Sequence, residues 1–276
     1  MQEKIAHLQE HGFVVFDFQD ISVIDYVRMS LEERLAQLIG KKIPLEEYHL
    51  SINDDERHSE LQIELTKFYR EQKFARKIFH SQVNFFQKIV GLDLLSQANP
   101  YLRMTRPGKP QDNIGYHRDT FYGGSPYELS VLVPFVDVEK ESSLSVMPGS
   151  HCLPEKLFPT EQIQNPDTTV TKGSSKHQLG FLYAPKLMDP AIEKKMEPIA
   201  LKRGQALMFF LSTVHGSVVN QGQITRWSSD MRILNALAGV DLSARPDYYE
   251  LLSLSPVTAC ARKYYAQNQE EIYATL

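Results

Sequence analysis

His117 and Asp119 stand two residues apart in YHRDTFYGG, residues 116–124, with Arg118 between them. On an extended chain, residues i and i+2 project to the same side. The pair would therefore aim an imidazole and a carboxylate at one point, and both are ordinary ligands for a divalent transition metal. A third donor, His215, closes the apolar run ALMFFLSTVHG just before a glycine. Two histidines and one carboxylate on one face would fill three octahedral positions and leave three open, the pattern of non-haem Fe(II) oxygenase sites. An HxD pair by itself is common, and either residue could equally be a polar side chain on a wet loop. The residues downstream of His215 raise the metal reading.

Arg226 follows His215 by eleven positions and opens the segment TRWSSDMRI. A 2-oxoglutarate co-substrate would chelate the metal through its keto and C1 carboxylate oxygens. Its far C5 carboxylate would then need a cation, and an arginine is always charged and grips a carboxylate with two prongs. Ser217, two residues after His215, could share that carboxylate. Singly, Arg226 reads as a surface arginine and Ser217 as a turn serine. The joint order of HxD, distal His, Ser and Arg is much harder to reach by chance.

Around the HxD pair, RPGKPQDNIGYHRDTFYGG brings Arg106, Asn113, Arg118 and Tyr122 close in sequence. Arg232 would share the face of Arg226 along a regular strand, with Ser228 and Asp230 between them. These residues are the candidate substrate contacts. A polar, mixed-charge rim suits a polar small molecule, such as a sugar, amino-acid or secondary-metabolite derivative. Asp230 and Arg232 are expected either to pair inside the fold or to reach the substrate. Trp227 would face the opposite side and pack.

The elements that must position these residues change character along the chain. In DISVIDYVRMSLEERLAQLIG, Ile24, Val27, Leu31, Leu35 and Leu38 recur at helical spacing. Residues 59–95 read as a second helical region, and GFVVFDF before both reads as a short strand. From Tyr101 the grammar turns to short β-rich runs bounded by Pro, Gly, Asn or Asp: YLRMTRPG, ELSVLVPFVDV, SLSVMPGSH, EPIALKRG, ALMFFLSTVHG and TRWSSDMRILNAL. Many short strands imply a sandwich or barrel, with a jelly roll among the options. Residues 152–180 read as a long loop, a candidate lid together with the C-terminal segment. The last stretch of the chain reads as helix.

The composition sets limits. At 276 residues with 42% hydrophobic content, the chain can bury a normal core. A formal net charge of -4 favours neither nucleic acid nor an anionic membrane as partner. Cys152 and Cys260 are the only cysteines, too few for a disulfide framework or a cysteine zinc site. A reducing, cytoplasmic location is expected. The first residues lack the apolar core of a secretory signal, and no apolar run approaches the ~20 residues of a membrane span.

These segments together resemble the phytanoyl-CoA dioxygenase family of Fe(II)/2-oxoglutarate-dependent oxygenases. LQEHGFVVF is similar to the family's N-terminal strand, YHRD to its HxD and SSLSVMPGSH to its Pro-Gly-Ser-His segment. RGQALMFFLSTVHGSVVNQGQITR is similar to the stretch with the distal His and the co-substrate arginine. The resemblance runs from about residue 8 to about residue 237. It implies a double-stranded β-helix, a mainly β jelly roll of cupin-like form wrapped by N-terminal helices. One domain over 1–276 is expected: a helical part over about 20–96, a jelly-roll core over about 100–240, and a helical extension over about 246–276. The resemblance implies that His117, Asp119 and His215 hold Fe(II), that Arg226 and Ser217 hold 2-oxoglutarate, and that O2 is the oxidant. Hydroxylation of a substrate C–H bond, with release of succinate and CO2, is the expected outcome. His151 of PGSH is not a ligand in that pattern and reads as a turn residue. The chain departs from the family at Ser142-Ser143, where Asn-Gly is usual, and near Met104, where a polar co-substrate contact is usual.

Two other classes fit the same three ligands: a zinc-dependent or cupin-type enzyme, and a non-catalytic jelly-roll binding module. Neither calls for an arginine facing the metal at the offset of Arg226. The oligomeric state is left open, a homodimer included.

Overall fold

The computed structural model describes residues 1–160, 187–240 and 247–273, without the side chains of Tyr122 and of residues 268–273. Helix α1 (Gln2–His11) leads into strand β1 (Phe13–Asp17), with Gly12 in the left-handed region between them. A side chain at Gly12 would be strained at that φ and would also press on His151 and Thr213. Helix α2 (Ser22–Ile39) buries Ile24, Val27, Leu31 and Leu35, the stripe expected from their spacing. Burying each of these side chains is worth roughly 1.5–3 kcal/mol.

The region 59–95 is not one helical block. It resolves into α4 (Asp55–Glu71), α5 (Phe74–Ser81), α6 (Val83–Val90) and strand β2 (Leu94–Gln97), after the single turn α3 (Tyr48–Ser51). Asp54 caps α4 by accepting from the backbone N–H of Arg57 at 2.7 Å. Lys73, at a φ of 51°, turns the chain between α4 and α5. Four residues of β2 are too few to display a period, so the strand was hidden behind the apolar run before it.

The remaining strands are β3 (Tyr101–Thr105), β4 (Glu128–Pro134), β5 (Ser145–Val146), β6 (Glu197–Pro198), β7 (Gln205–Phe210), β8 (His215–Gly216), β9 (Arg226–Asn235) and β10 (Tyr249–Ser253). They form a seven-stranded antiparallel sheet in the order β1-β7-β4-β9-β2-β10, with β3 also on β9, and a small sheet β6-β5-β8. This is the expected double-stranded β-helix, with helices laid on the outside of the large sheet. α4 rests on β3, and α5 on β2 and β10. Trp227 faces that outer layer. It is fully buried, its indole N–H donates to the Leu45 carbonyl at 2.7 Å, and its ring meets Tyr48 edge-on.

Two further expectations are corrected. ALMFFLSTVHG is not one strand: β7 ends at Phe210, and the chain turns through Leu211–Val214 into β8 of the other sheet. Thr213 fixes that turn by donating from its hydroxyl to the Gly12 carbonyl at 2.9 Å. The C-terminal extension is not helical throughout. β10 adds an edge strand to β2, and only then does α7 (Pro256–Tyr273) begin. Of the proposed lid loop, residues 152–160 form short 3-10 turns, and residues 161–180 lie outside the described residues.

Candidate metal centre

His117 and His215 are directly opposed across a narrow antiparallel bridge. Each donates its backbone N–H to the other's carbonyl, at 2.8 and 2.9 Å. Opposed residues project to the same side of a ladder, so the two imidazoles lie together, with ring centroids 4.4 Å apart. Gly216 permits the approach: a Cβ there would lie 2.7 Å from the Gly115 carbonyl oxygen. Arg118 is extended, which turns Asp119 to the side of His117 as an i, i+2 pair requires. Asp119 itself opens a 3-10 turn, with its N–H donated to the Leu211 carbonyl at 3.0 Å.

Asp119 Oδ1 lies 3.4 Å from His117 Nε2 and 3.5 Å from His215 Nε2. The ligand-capable atoms of all three residues fall within 4.8 Å of one another, and all three residues are buried. His117 Nδ1 faces the Gly115 carbonyl at 2.7 Å, and His215 Nδ1 faces the Thr213 carbonyl at 2.9 Å. A carbonyl only accepts, so each Nδ1 carries the hydrogen, and in the neutral ring Nε2 keeps its lone pair. Burial, with the neighbouring His215 imidazole adding to it, lowers the pKa of His117 and favours that neutral form. Burial pushes the Asp119 carboxyl up, but Arg232 and the two imidazoles outweigh it and hold it well below the usual range. Lone pairs and an anionic oxygen thus converge on one point, an arrangement that a cation between them relieves. The donor set fits a metal of the non-haem iron type.

The other carboxylate oxygen, Asp119 Oδ2, accepts from Arg232 Nη2 at 2.5 Å. Arg232 Nη1 donates to Ser130 Oγ at 2.7 Å. Arg232, expected among the substrate contacts, is thus placed against Asp119. Asp230, which had Arg232 as its candidate partner, pairs with Arg103 at 3.3 Å.

At the start of β9, Arg226 is buried. Its Nη1 donates to Ser217 Oγ at 3.1 Å and to the Ser142 carbonyl at 2.9 Å, and its Nη2 donates to Thr105 Oγ1 at 3.1 Å. Its Nε is buried with no hydrogen-bond partner among the described residues. Among the described residues, no carboxylate lies within ion-pair distance of it. Burial pushes this guanidinium down to about 10. Asp230 offsets part of that burial from a distance, but the hydrogen-bond partners of the guanidinium are all neutral, and a buried cation so placed can receive an anion. The residues therefore fit the far carboxylate of 2-oxoglutarate. Thr105 escaped the sequence reading, which looked for a polar contact at Met104. Met104 points outward and is buried, whereas Thr105 is the residue registered against Arg226. The Ser142-Ser143 turn departs from the family in side chains, yet it contributes a carbonyl.

The PGSH turn braces the centre without ligating it. Ser150 Oγ accepts from the Val214 N–H at 2.8 Å, and the Ser150 carbonyl accepts from Arg118. His151 stacks on Phe210 and reaches the Gln9 carbonyl at 3.0 Å, in keeping with a turn residue.

Other expected substrate contacts are engaged elsewhere. Arg118 is buried, with its guanidinium 4.1 Å over the Phe158 ring. Arg106 is buried in ion pairs with Asp112 at 2.9 Å and Asp55 at 2.8 Å, and it caps the Asn53 carbonyl as well. Asn113 donates to the Lys109 carbonyl, and its buried Oδ1 has no hydrogen-bond partner among the described residues. The Tyr122 side chain lies outside the described residues.

Comparisons with known proteins agree with this architecture. The family model for phytanoyl-CoA dioxygenase matches residues 45–228, more than half of the chain. No relative among curated proteins matches in sequence. Among solved structures, the non-heme monooxygenase ThoJ in its apo form superposes with a TM-score of 0.57 at 16% identity, covering 91% of this chain and 84% of that one. The epimerase SnoN, solved with Fe3+, alpha ketoglutarate and nogalamycin RO, gives a TM-score of 0.52 at 15% identity, covering 85% and 83%. EvdO2 from Micromonospora carbonacea var. aurantiaca, complexed with 2-oxoglutarate, gives 0.51 at 17% identity, covering 90% and 95%. Likenesses at such identities speak to the fold.

Proposed function

The chain belongs to the phytanoyl-CoA dioxygenase family of iron- and 2-oxoglutarate-dependent oxygenases, and from that premise we propose that His117, Asp119 and His215 hold Fe(II), that Arg226 with Ser217 and Thr105 holds 2-oxoglutarate, and that the enzyme hydroxylates a C–H bond of a polar small molecule. The observation that carries the co-substrate assignment is the buried Arg226 guanidinium, which has no carboxylate within ion-pair distance among the described residues. Bound iron with 2-oxoglutarate and O2 supplies the oxidation, with succinate and CO2 as co-products.

This chain's residues supply placement. The Nδ1–H groups of the two histidines are fixed on backbone carbonyls, which aims both Nε2 atoms inward. Burial of the three ligands excludes water and strengthens their interaction with a cation. The Arg226 cluster fixes the end of the co-substrate remote from the metal, and this orients its chelating end. The polar character assigned to the substrate rests on the mixed-charge surroundings of the HxD pair, with Asn113 and Tyr122 as its contacts. The related structures act on varied chemistry, an epimerisation and a monooxygenation among them by their names. Hydroxylation is the simplest outcome of the site. We read the whole chain as one oxygenase domain. Among the described residues, no helix is long and apolar enough to cross a membrane.

The test is anaerobic reconstitution with Fe(II) and 2-oxoglutarate, read by the weak visible charge-transfer band of the chelate. The band should be absent in His117→Ala and weakened in Arg226→Ala. Succinate release then provides the screen for substrates. Well-folded, metal-loaded protein without a band would refute the ligand and co-substrate assignments and move weight to a zinc enzyme.

A further inference from the structure

We propose that Arg232 is a positioning residue of the metal centre: it holds one oxygen of Asp119 so that a single carboxylate oxygen faces the two imidazoles. This rests on reading His117, Asp119 and His215 as metal ligands. Asp119 Oδ1 is the oxygen near both Nε2 atoms, at 3.4 and 3.5 Å. Oδ2 is taken by Arg232 at 2.5 Å. The guanidinium is itself fixed, because Nη1 is held by Ser130 Oγ at 2.7 Å and Ser130 is registered directly against Arg232 on the neighbouring strand.

The backbone explains why such a hold is needed. Asp119 opens a 3-10 turn, so no sheet ladder fixes its side-chain rotation as the ladder fixes that of Arg232. A carboxylate free to turn can offer a metal both oxygens. The second oxygen would occupy one of the positions a facial triad leaves open, and those are needed for co-substrate and O2. Arg232 thus sets how many oxygens Asp119 gives, and the sheet register sets Arg232.

The full-length variants Arg232→Met and Arg232→Lys test this with Co2+ as the probe, since its visible absorption reports coordination number. Arg232→Met should change the Co2+ spectrum and lower the 2-oxoglutarate affinity of the Co2+-loaded protein about tenfold. Arg232→Lys, which keeps a cation beside Oδ2, should restore most of the wild-type spectrum. Circular dichroism verifies the fold, and Arg232→Gln replaces Arg232→Met if the latter does not fold. Wild-type Co2+ spectra and 2-oxoglutarate affinity in both variants would overturn the proposal. A raised KM alone would then assign Arg232 to substrate, and a lowered unfolding temperature alone to structure. Wild-type protein that binds no Co2+ would instead overturn the metal reading beneath it.

Discussion

Arg226 carries its charge in a buried site where its hydrogen-bond partners are neutral and only the more distant Asp230 offsets it. The fall of its pKa from 12.5 to about 10 corresponds to roughly 3 kcal/mol of cost for keeping it charged there. That cost is recovered when an anion binds. Two opposite effects are expected of Arg226→Met. Without ligand, the variant should unfold several degrees higher than wild type, at about 2–4 °C per kcal/mol for a chain of this size. With metal present, its affinity for 2-oxoglutarate should fall by a factor of about 30 or more, because truncating one partner of a buried charge pair costs 2–5 kcal/mol. Calorimetry on apo protein and a 2-oxoglutarate titration read the two arms. A destabilised apo variant would mean that the wild-type guanidinium is already compensated.

At the scale of elements, the centre depends on how closely two segments approach. His215 on β8 and His117 on the facing loop are held together by two backbone hydrogen bonds, beside Gly216. A methyl group at residue 216 would meet backbone atoms of Gly115 and Tyr116 at 2.7–2.8 Å, and backbone cannot yield as a flexible side chain can. Gly216→Ala should therefore weaken metal binding by about tenfold or more with little change in secondary structure, as a Co2+ titration and circular dichroism would show. The loop that leads to His117 is anchored from α4. His58 is buried against Tyr48 and Asp112, with Nδ1 3.1 Å from the Tyr48 hydroxyl and Nε2 3.6 Å from Asp112. Burial pushes its pKa from 6.5 down to about 4, against the pull of Asp112. The unfolded chain therefore binds a proton between pH 6.5 and 4 that the folded protein refuses. Stability is fully present above pH 6.5 and falls by up to roughly 3 kcal/mol as the pH drops through about 4. His58→Gln should flatten that slope in denaturant titrations across this range. An unchanged slope would show that other groups set the acid limit.

For the molecule as a whole, both candidate sites lie between the sheets of one β-helix, and β9 contributes to each: Arg226 to the co-substrate cluster and Arg232 to the metal cluster. Ligand binding should therefore stabilise the entire sheet system. At a hundred times its Kd, 2-oxoglutarate added to Co2+-loaded protein should add about 2.7 kcal/mol. That amounts to roughly 5–10 °C in the unfolding midpoint. Thermal unfolding with and without 2-oxoglutarate measures it, and Arg226→Met should abolish the shift.

What the sequence determined by itself was the chemistry and its local spacing. That His117 and Asp119 would lie on one side was legible, because period-two geometry carries over so short an offset, and Ser217 and Arg226 were legible as a pair by residue type. The helical stripe of α2 and the outward packing of Trp227 were legible for the same reason. The tertiary structure alone decided who meets whom across the chain. It gave Arg232 to Asp119, placed Thr105 rather than Met104 on Arg226, and paired Arg106 with Asp55. It also set β10 as an edge strand on β2, which lies about 150 residues earlier in the chain. Such pairings follow from sheet register and helix packing, which join segments far apart in the chain, and no local period or motif encodes them.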